Sequence, residues 1–226
     1  MNFKQLLATA LFVSTIAVST QVMNAQEIKL PSPSFTGGMP VNEAVANRHS
    51  CREFDSSRNV DNSVLSQLLW MSLGINRPDA PASKYGVKAD RSNPTALNRQ
   101  EITAYLFGKD AVYEYLPASH SLKLVKTGDY RALVAGGASF SQDFVLDAPI
   151  SIVFVADVAK LPEGDNSKNT AMVDAGIACE NLNIACASLG IATVPRASMD
   201  AAGISALLGL TDMQIPVMNN PIGYSK

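Results

Sequence analysis

Residues 169–189 read NTAMVDAGIACENLNIACASL, and this stretch decides the fold. Met172, Ala175, Cys179, Leu182, Cys186 and Leu189 recur at alternating steps of three and four, a helical period, while Ile177, Ala178, Ile184 and Ala185 make the remaining surface apolar too. A helix that is apolar on nearly every side has to be buried. Its small residues, among them Ala175, Gly176, Ala178, Ala185 and Ala187, let another backbone approach closely. That suits a helix laid on a sheet and on a symmetry mate; an internal core helix of a monomer would read the same way. Gly190 is placed to cap it.

Outward from this helix, 150–155 is a near-continuous apolar, β-branched run, the pattern of a strand buried on both faces in mid-sheet. Before it, 101–107, 111–115 and 121–125 have strand character separated by turn residues, which predicts a three-strand meander. After the helix, 191–194 and 214–218 read as short strands. Segments 41–47 and 63–73 carry amphipathic helical spacing, the second closed by Gly74. Between them and the meander, 75–97 holds Pro78, Pro81, Gly86 and Pro94 without a sustained period and reads as a long loop. Residues 26–40, rich in Pro, Ser and Gly, read as an exposed lead-in, so the fold is expected over 41–226.

The first 25 residues are of another kind: one charge, Lys4, then an apolar run from Leu6 to Val18, then Ser19, Thr20 and a small residue at Ala25. That pattern predicts a secretory signal over 1–25, export to the periplasm, and no membrane contact after cleavage; an N-terminal membrane anchor is the alternative. The run is shorter than the ~20 apolar residues a spanning helix needs. The whole chain of 226 residues is 47% hydrophobic and 17% charged with net charge −2, an ordinary globular composition without the basic stripe that nucleic acid requires. Nucleic acid is excluded as an expected partner. Cys179 and Cys186, seven apart on one helix, stand ~10 Å apart, beyond the ~7 Å a disulfide spans, so they are expected as free core thiols. With only His49 and His120 in the chain, no zinc spacing is present and no metal is expected.

Conventional catalytic motifs are missing: there is no G-x-S-x-G elbow, no P-loop and no G-x-G-x-x-G, and Gly136-Gly137 is too short to serve. His49 with Cys51 could suggest a thiol nucleophile, but no third orienting group accompanies them. What does stand out is Arg48-His49-Ser50-Cys51-Arg52-Glu53-Phe54. Two guanidiniums with a hydroxyl between them make an anion clamp, since Arg offers forked donors and Ser a short one. A solvated turn anchored by Phe54 fits the same spacing.

The run from Arg48 to Asp55 resembles the R-x-S-x-(R/K)-x-F segment of the FMN-dependent nitroreductase superfamily. Pro94-Thr95-Ala96-Leu97-Asn98-Arg99-Gln100 is similar to that family's P-S-x-x-N-x-Q loop, with Thr for Ser and Glu101 where Pro often follows. Asp174-Ala175-Gly176, and then Leu189 to Pro195, resemble its interface helix and the turn after it. The three-strand meander and the short C-terminus resemble the branch containing azoline-oxidising enzymes. The resemblance implies an α+β fold, an α-β-α sandwich with a central mixed, mainly antiparallel sheet flanked by helices, forming a homodimer with FMN at the interface.

The same resemblance assigns cofactor-binding roles. Arg48 and Ser50, with His49 between them, would take phosphate and ribityl oxygens. Arg52 would stand at the flavin N1/O2 edge, where a fixed cation offsets the negative charge left by two-electron reduction. Pro94, Thr95, Ala96 and Asn98 would reach the cofactor of the partner subunit, Gln142 would touch the ring, and Pro195, Arg196 and Ala197 would line its other side with backbone N–H groups near N5. No protein side chain would be catalytic in its own right, because the chemistry belongs to flavin N5. The expected function is then hydride or two-electron transfer with NAD(P)H as donor to nitro, quinone or similar small acceptors. Two alternatives stand beside it. One is FMN-dependent oxidation of a small organic substrate outside the cytoplasm; the other is a non-catalytic exported flavin-binding protein.

Overall fold

The computed structural model describes residues 27–137, 139–164 and 166–226, so the expected leader at 1–25 lies outside the described residues. The chain runs through β1 (Glu27–Lys29), α1 (Val41–Asn47), α2 (Asn62–Leu73), β2 (Ile75–Arg77), β3 (Asp90–Arg91), β4 (Ile102–Gly108), β5 (Ala111–Leu116) and β6 (Ser121–Thr127). It continues with α3 (Arg131–Ala135), β7 (Gly136–Gly137), β8 (Phe140–Ser141), α4 (Phe144–Asp147), β9 (Ile150–Asp157), α5 (Ser167–Ser188), β10 (Ala192–Thr193), α6 (Ala201–Leu208) and β11 (Gln214–Gly223). A seven-stranded sheet in the order β1-β6-β5-β4-β9-β11-β10 is covered by helices on both faces. No described helix is long and apolar enough to cross a membrane.

Strand β9 shows why the sheet needs two covers. Ile152, Phe154 and Ala156 point into the core under α2 and α5, while Val153 and Val155 point into the second core under α3 and α6. Fully burying one such side chain contributes roughly 1.5–3 kcal/mol, so exposing either face would cost a large share of a domain's net stability. Strand β4 repeats the division with Ile102, Ala104 and Leu106 on one side and Phe107 on the other. Helix α5 lies on the sheet through Ala171, Ala175, Ala178, Cys179, Leu182, Ala185 and Cys186, as its small residues require. Gly190, at φ +67°, makes the left-handed turn that ends it, a conformation costly for residues with a Cβ. Burial pushes the Cys179 thiol up to about 12, and all three cysteines are free.

Several expectations are corrected. The lead-in is exposed over much of 31–40, but Glu27–Lys29 pairs with β6 and Leu30 is buried, so the sheet begins earlier than composition suggested. Every sheet pairing among the described residues is antiparallel, in keeping with the mainly antiparallel sheet implied. The loop at 75–97 contains the small β2/β3 ribbon. The last strand is ten residues, not five: Pro216, Asn219, Asn220 and Pro221 mask it, and a register shift beside Pro216 accommodates the first proline. Helices α3, α4 and α6 are too short to show a period in the sequence.

The edge strand is pinned by His120. Its Nε2 lies 2.7 Å from Ser66 Oγ and 3.1 Å from the Pro31 carbonyl, while Tyr115 OH meets Nδ1 at 2.9 Å. Burial, reinforced by Lys29 and opposed by the Pro31 carbonyl, holds the imidazole below its ordinary value. A depressed histidine gives stability that is complete above the unfolded value of about 6.5 and is lost as pH falls toward the folded value. Urea unfolding should therefore show stability declining below pH 6.5, and His120→Gln should flatten that decline; an identical acid limb in the variant contradicts this role.

Candidate functional site

Segment 48–54 leaves α1 and runs beside β10, where Cys51 N–H donates to the Thr193 carbonyl at 2.9 Å. Phe54 is fully buried and bridges to Ser225, so the cationic residues before it are held between an apolar anchor and a sheet edge. His49, Ser50 and Arg52 are exposed, and Arg48 is partly so. Arg48 Nε approaches Glu180 of α5 only to 4.0 Å, and Arg52 has no ion pair among the described residues. The cations are left available for an external anion. His49 Nδ1 is engaged locally with the Asn47 carbonyl at 2.8 Å.

Strand β10 carries the chain directly into Pro195-Arg196-Ala197. The Arg196 side chain is buried, 7% exposed, and serves as a strut. Nε donates to Gln142 Oε1 at 2.7 Å, Nη1 to the Val134 carbonyl at 3.0 Å and Asn219 Oδ1 at 2.6 Å, and Nη2 to the Ala135 carbonyl at 3.2 Å. The partners are neutral. Burial, then the field of neighbouring Arg52, loosens its proton, yet a guanidinium stays charged and the dipoles around it must hold that charge. The Arg196 amide is also committed, donating to the Asn219 carbonyl at 2.8 Å, and Pro195 has no N–H. Of the three residues expected to present amides, Ala197 alone keeps one without a partner among the described residues.

Through Arg196, Gln142 is drawn to the same place. The β7/β8 hairpin that delivers it starts at Gly136, φ +157°, where a Cβ would collide with the Phe140 carbonyl. Arg48, His49, Ser50, Arg52, Gln142, Pro195, Arg196 and Ala197 thus border one region around β10. A buried network braces it: Asn220 Nδ2 donates to Asn183 Oδ1 at 2.8 Å and Thr193 Oγ1 at 3.1 Å, tying α5, β10 and β11.

Pro94, Thr95, Ala96 and Asn98 form a second group. It is joined to the first by no hydrogen bond or ion pair among the described residues; what the two share is α5. Ala96 N–H donates to Asp174 Oδ2 of α5 at 2.7 Å. Leu97, Asn98 and Gln100 have φ of +57°, +52° and +52°, conformations that cost a residue with a Cβ ~1–3 kcal/mol each and persist only when the surroundings impose them. Here Asn98 Nδ2 binds Asp90 Oδ1 at 2.9 Å, Gln100 N–H binds Thr95 Oγ1 at 2.9 Å and Gln100 Nε2 binds the Ala89 carbonyl at 2.9 Å. The same segment holds buried polar atoms without partners: Arg91 Nε, Ser92 Oγ, Asn93 Oδ1, Arg99 Nε and both Glu101 oxygens. A strained loop with unfilled hydrogen-bonding capacity fits a ligand-contacting role.

Sequence reasoning missed Asn219 and the weight carried by Glu101 and Asp174. An Asn pair inside an otherwise apolar strand was the available signal for the first. Among the described residues there is no group of three or more metal-ligating side chains.

Comparison with known proteins bears on this arrangement. The model of the Nitroreductase family matches residues 45–224. Among solved structures, one from Ralstonia eutropha JMP134, provisionally named a nitroreductase, is 30% identical with a TM-score of 0.76, over 91% of this chain and 92% of its own. A nitroreductase family protein of Clostridium difficile 630 is 18% identical with a TM-score of 0.57, over 83% of this chain and 86% of that one. A chain of the Escherichia coli microcin synthetase McbBCD complex with truncated pro-MccB17 is 16% identical with a TM-score of 0.63, over 96% and 85%. No curated protein matches.

Removing the strut should be felt throughout the first group. Arg196→Met leaves the Val134 carbonyl and the side-chain amide oxygens of Gln142 and Asn219 without this donor, while Ala135 keeps the Gln142 N–H, and should cost ~3 kcal/mol in urea unfolding, with Arg196→Lys intermediate. A variant as stable as the parent would contradict the role assigned to this side chain.

Proposed function

This chain belongs to the nitroreductase family, and on that premise we propose that it is an FMN-dependent oxidoreductase acting as a homodimer. The observation that carries the reading is the cationic segment at Arg48, Ser50 and Arg52, held against β10 with Arg52 free of any described ion pair. Arg48 and Ser50 lie close enough along the chain to serve one phosphate, which leaves Arg52 for a separate point on the same ligand. A charge-assisted bond from a guanidinium to phosphate is the strong kind. FMN, when bound, supplies reversible hydride acceptance at its ring N5.

The remaining work falls to the chain. Arg48 and Ser50 hold the phosphate and ribityl end, and His49, fixed by the Asn47 carbonyl, stiffens the turn between them. Arg52 supplies a fixed positive charge beside the N1/O2 edge, and buried Arg196 adds to the field from behind. The free Ala197 amide and the held Gln142 side chain orient the ring. The strained 94–98 loop, set apart from its own clamp, serves the cofactor of the second copy. Exposed Val41 and Val45 on α1 and Met172 and Val173 on α5 give that copy an apolar surface to cover.

For substrate, the reading is NAD(P)H-dependent reduction of nitro, quinone or related small acceptors. The second reading, oxidation of a small organic substrate outside the cytoplasm, is favoured by the signal-like 1–25 segment, since nicotinamide dinucleotides are cytoplasmic. Anaerobic mixing separates them. NADPH should bleach the bound flavin; colour that survives NADPH but fades with a candidate amine or heterocycle selects the second reading.

Arg48→Ala should weaken FMN binding by roughly 10- to 100-fold, the equivalent of one charge-assisted bond, as read by fluorescence titration. Unchanged affinity would show that Arg48 is no part of a phosphate clamp.

A further inference from the structure

Glu101 lies at the first position past the 94–100 loop and is completely buried, yet neither carboxylate oxygen has a partner. Facing it from α5 is Asp174, itself 5% exposed and within hydrogen-bonding range. Two ionised carboxylates cannot share a dry site, and a buried acceptor left unpaired is costly. One proton resolves both difficulties: a protonated Glu101 donates to Asp174, and Asp174 keeps its other contact, Oδ2 with the Ala96 N–H at 2.7 Å.

The other charged neighbour does not supply an alternative. Arg91 of β3 spends Nη1 on the Ile102 carbonyl at 2.7 Å, its buried Nε has no partner, and no ion pair joins it to Glu101 among the described residues. The Glu101 backbone carbonyl takes the Asp157 N–H at 3.0 Å, which fixes the residue just ahead of β4, an interior strand of the sheet. We propose that Glu101 and Asp174 form a one-proton clasp that holds the strained 94–98 loop in its ligand-contacting shape, and that the loop loosens when the proton leaves to solvent. Glu101 is a positioning residue, acting on the loop through Asp174. The effect on cofactor rests on the proposed FMN site; the clasp itself does not.

Burial, then the Asp174 contact, pushes the Glu101 carboxyl up to about 8, with Arg91 pulling weakly the other way. A group whose value is raised on folding gives stability that is full at acid pH, below its unfolded value, and is lost as pH rises through the folded one. Loop support should then fade across pH 7 to 9, opposite in direction to the acid limb assigned to His120.

The test uses the full-length holoprotein and two variants, Glu101→Gln and Asp174→Asn. FMN should bind roughly tenfold more weakly at pH 9 than at pH 7 in the parent, as expected for a proton lost near pH 8, and less than twofold more weakly in Glu101→Gln, whose amide keeps a donor at every pH. Infrared spectra of the parent should show a protonated-carboxyl stretch near neutral pH that disappears in alkali. The stretch should be missing from Glu101→Gln. No such band in the parent, or a full alkaline limb retained by Glu101→Gln, overturns the proposal. Should the chain bind no FMN, the function proposed above falls, while the clasp is still decided by the infrared band and by the alkaline slope of unfolding of the flavin-free chain. If Glu101→Gln does not fold, the presence or absence of the band in the parent decides the question alone.

Discussion

Helix α5 can lie against the sheet only because its inward side is built of Ala171, Ala175, Ala178, Ala185 and two cysteines, and the rest of the molecule is mounted on that close approach. Larger residues would lift the helix off β9 and β11 and break the buried bridge from Asn183 through Asn220 to Thr193. The bridge fixes β10, and β10 fixes the cationic segment through Cys51. Asp174, earlier on the same helix, fixes the strained loop through Ala96, while Glu180 stands near Arg48. Both groups of site residues are thus referred to one rigid axis. A small shift of α5 would move them together.

The electrostatics follow the same economy. The chain as a whole is slightly acidic, so its cationic region is a local arrangement and not a general property of the surface. Arg131 meets Asp129 in a two-point pair and is structural, but among the described residues Arg52 and Arg196 have no carboxylate partner, and the guanidinium of Arg196 is held by carbonyl and amide dipoles. A protein that keeps acids away from two neighbouring guanidiniums leaves a positive field for something negative to fill. At the other end of α5 the logic reverses, with two acids brought together and one proton between them.

How far the sequence could be read depended on the length of each signal. The period of α5, the apolar run at Ile150 and the meander survive because each side chain in them faces a defined environment. Arg48, Ser50 and Arg52 can be read as a candidate clamp from residue type and spacing alone, because forked guanidinium donors and a short hydroxyl are what an anion asks for. The posture of the Arg196 side chain is not legible, since nothing in Pro-Arg-Ala tells whether a guanidinium points outward or into a cage built by Val134, Gln142 and Asn219, residues remote in sequence. The strand at Glu27–Lys29 was hidden because its partner, β6, lies far along the chain and its own composition is that of a loop. Glu101 appeared only as a departure from a motif; its pairing with Asp174 across the fold is what gives the departure meaning.

Cofactor and assembly are most directly tested together. Purified protein incubated with FMN, passed through a sizing column and read by absorbance and light scattering, should elute at the mass of two chains carrying the flavin bands at one FMN per chain. Elution as a colourless single chain after the same incubation would contradict a flavin held between two copies.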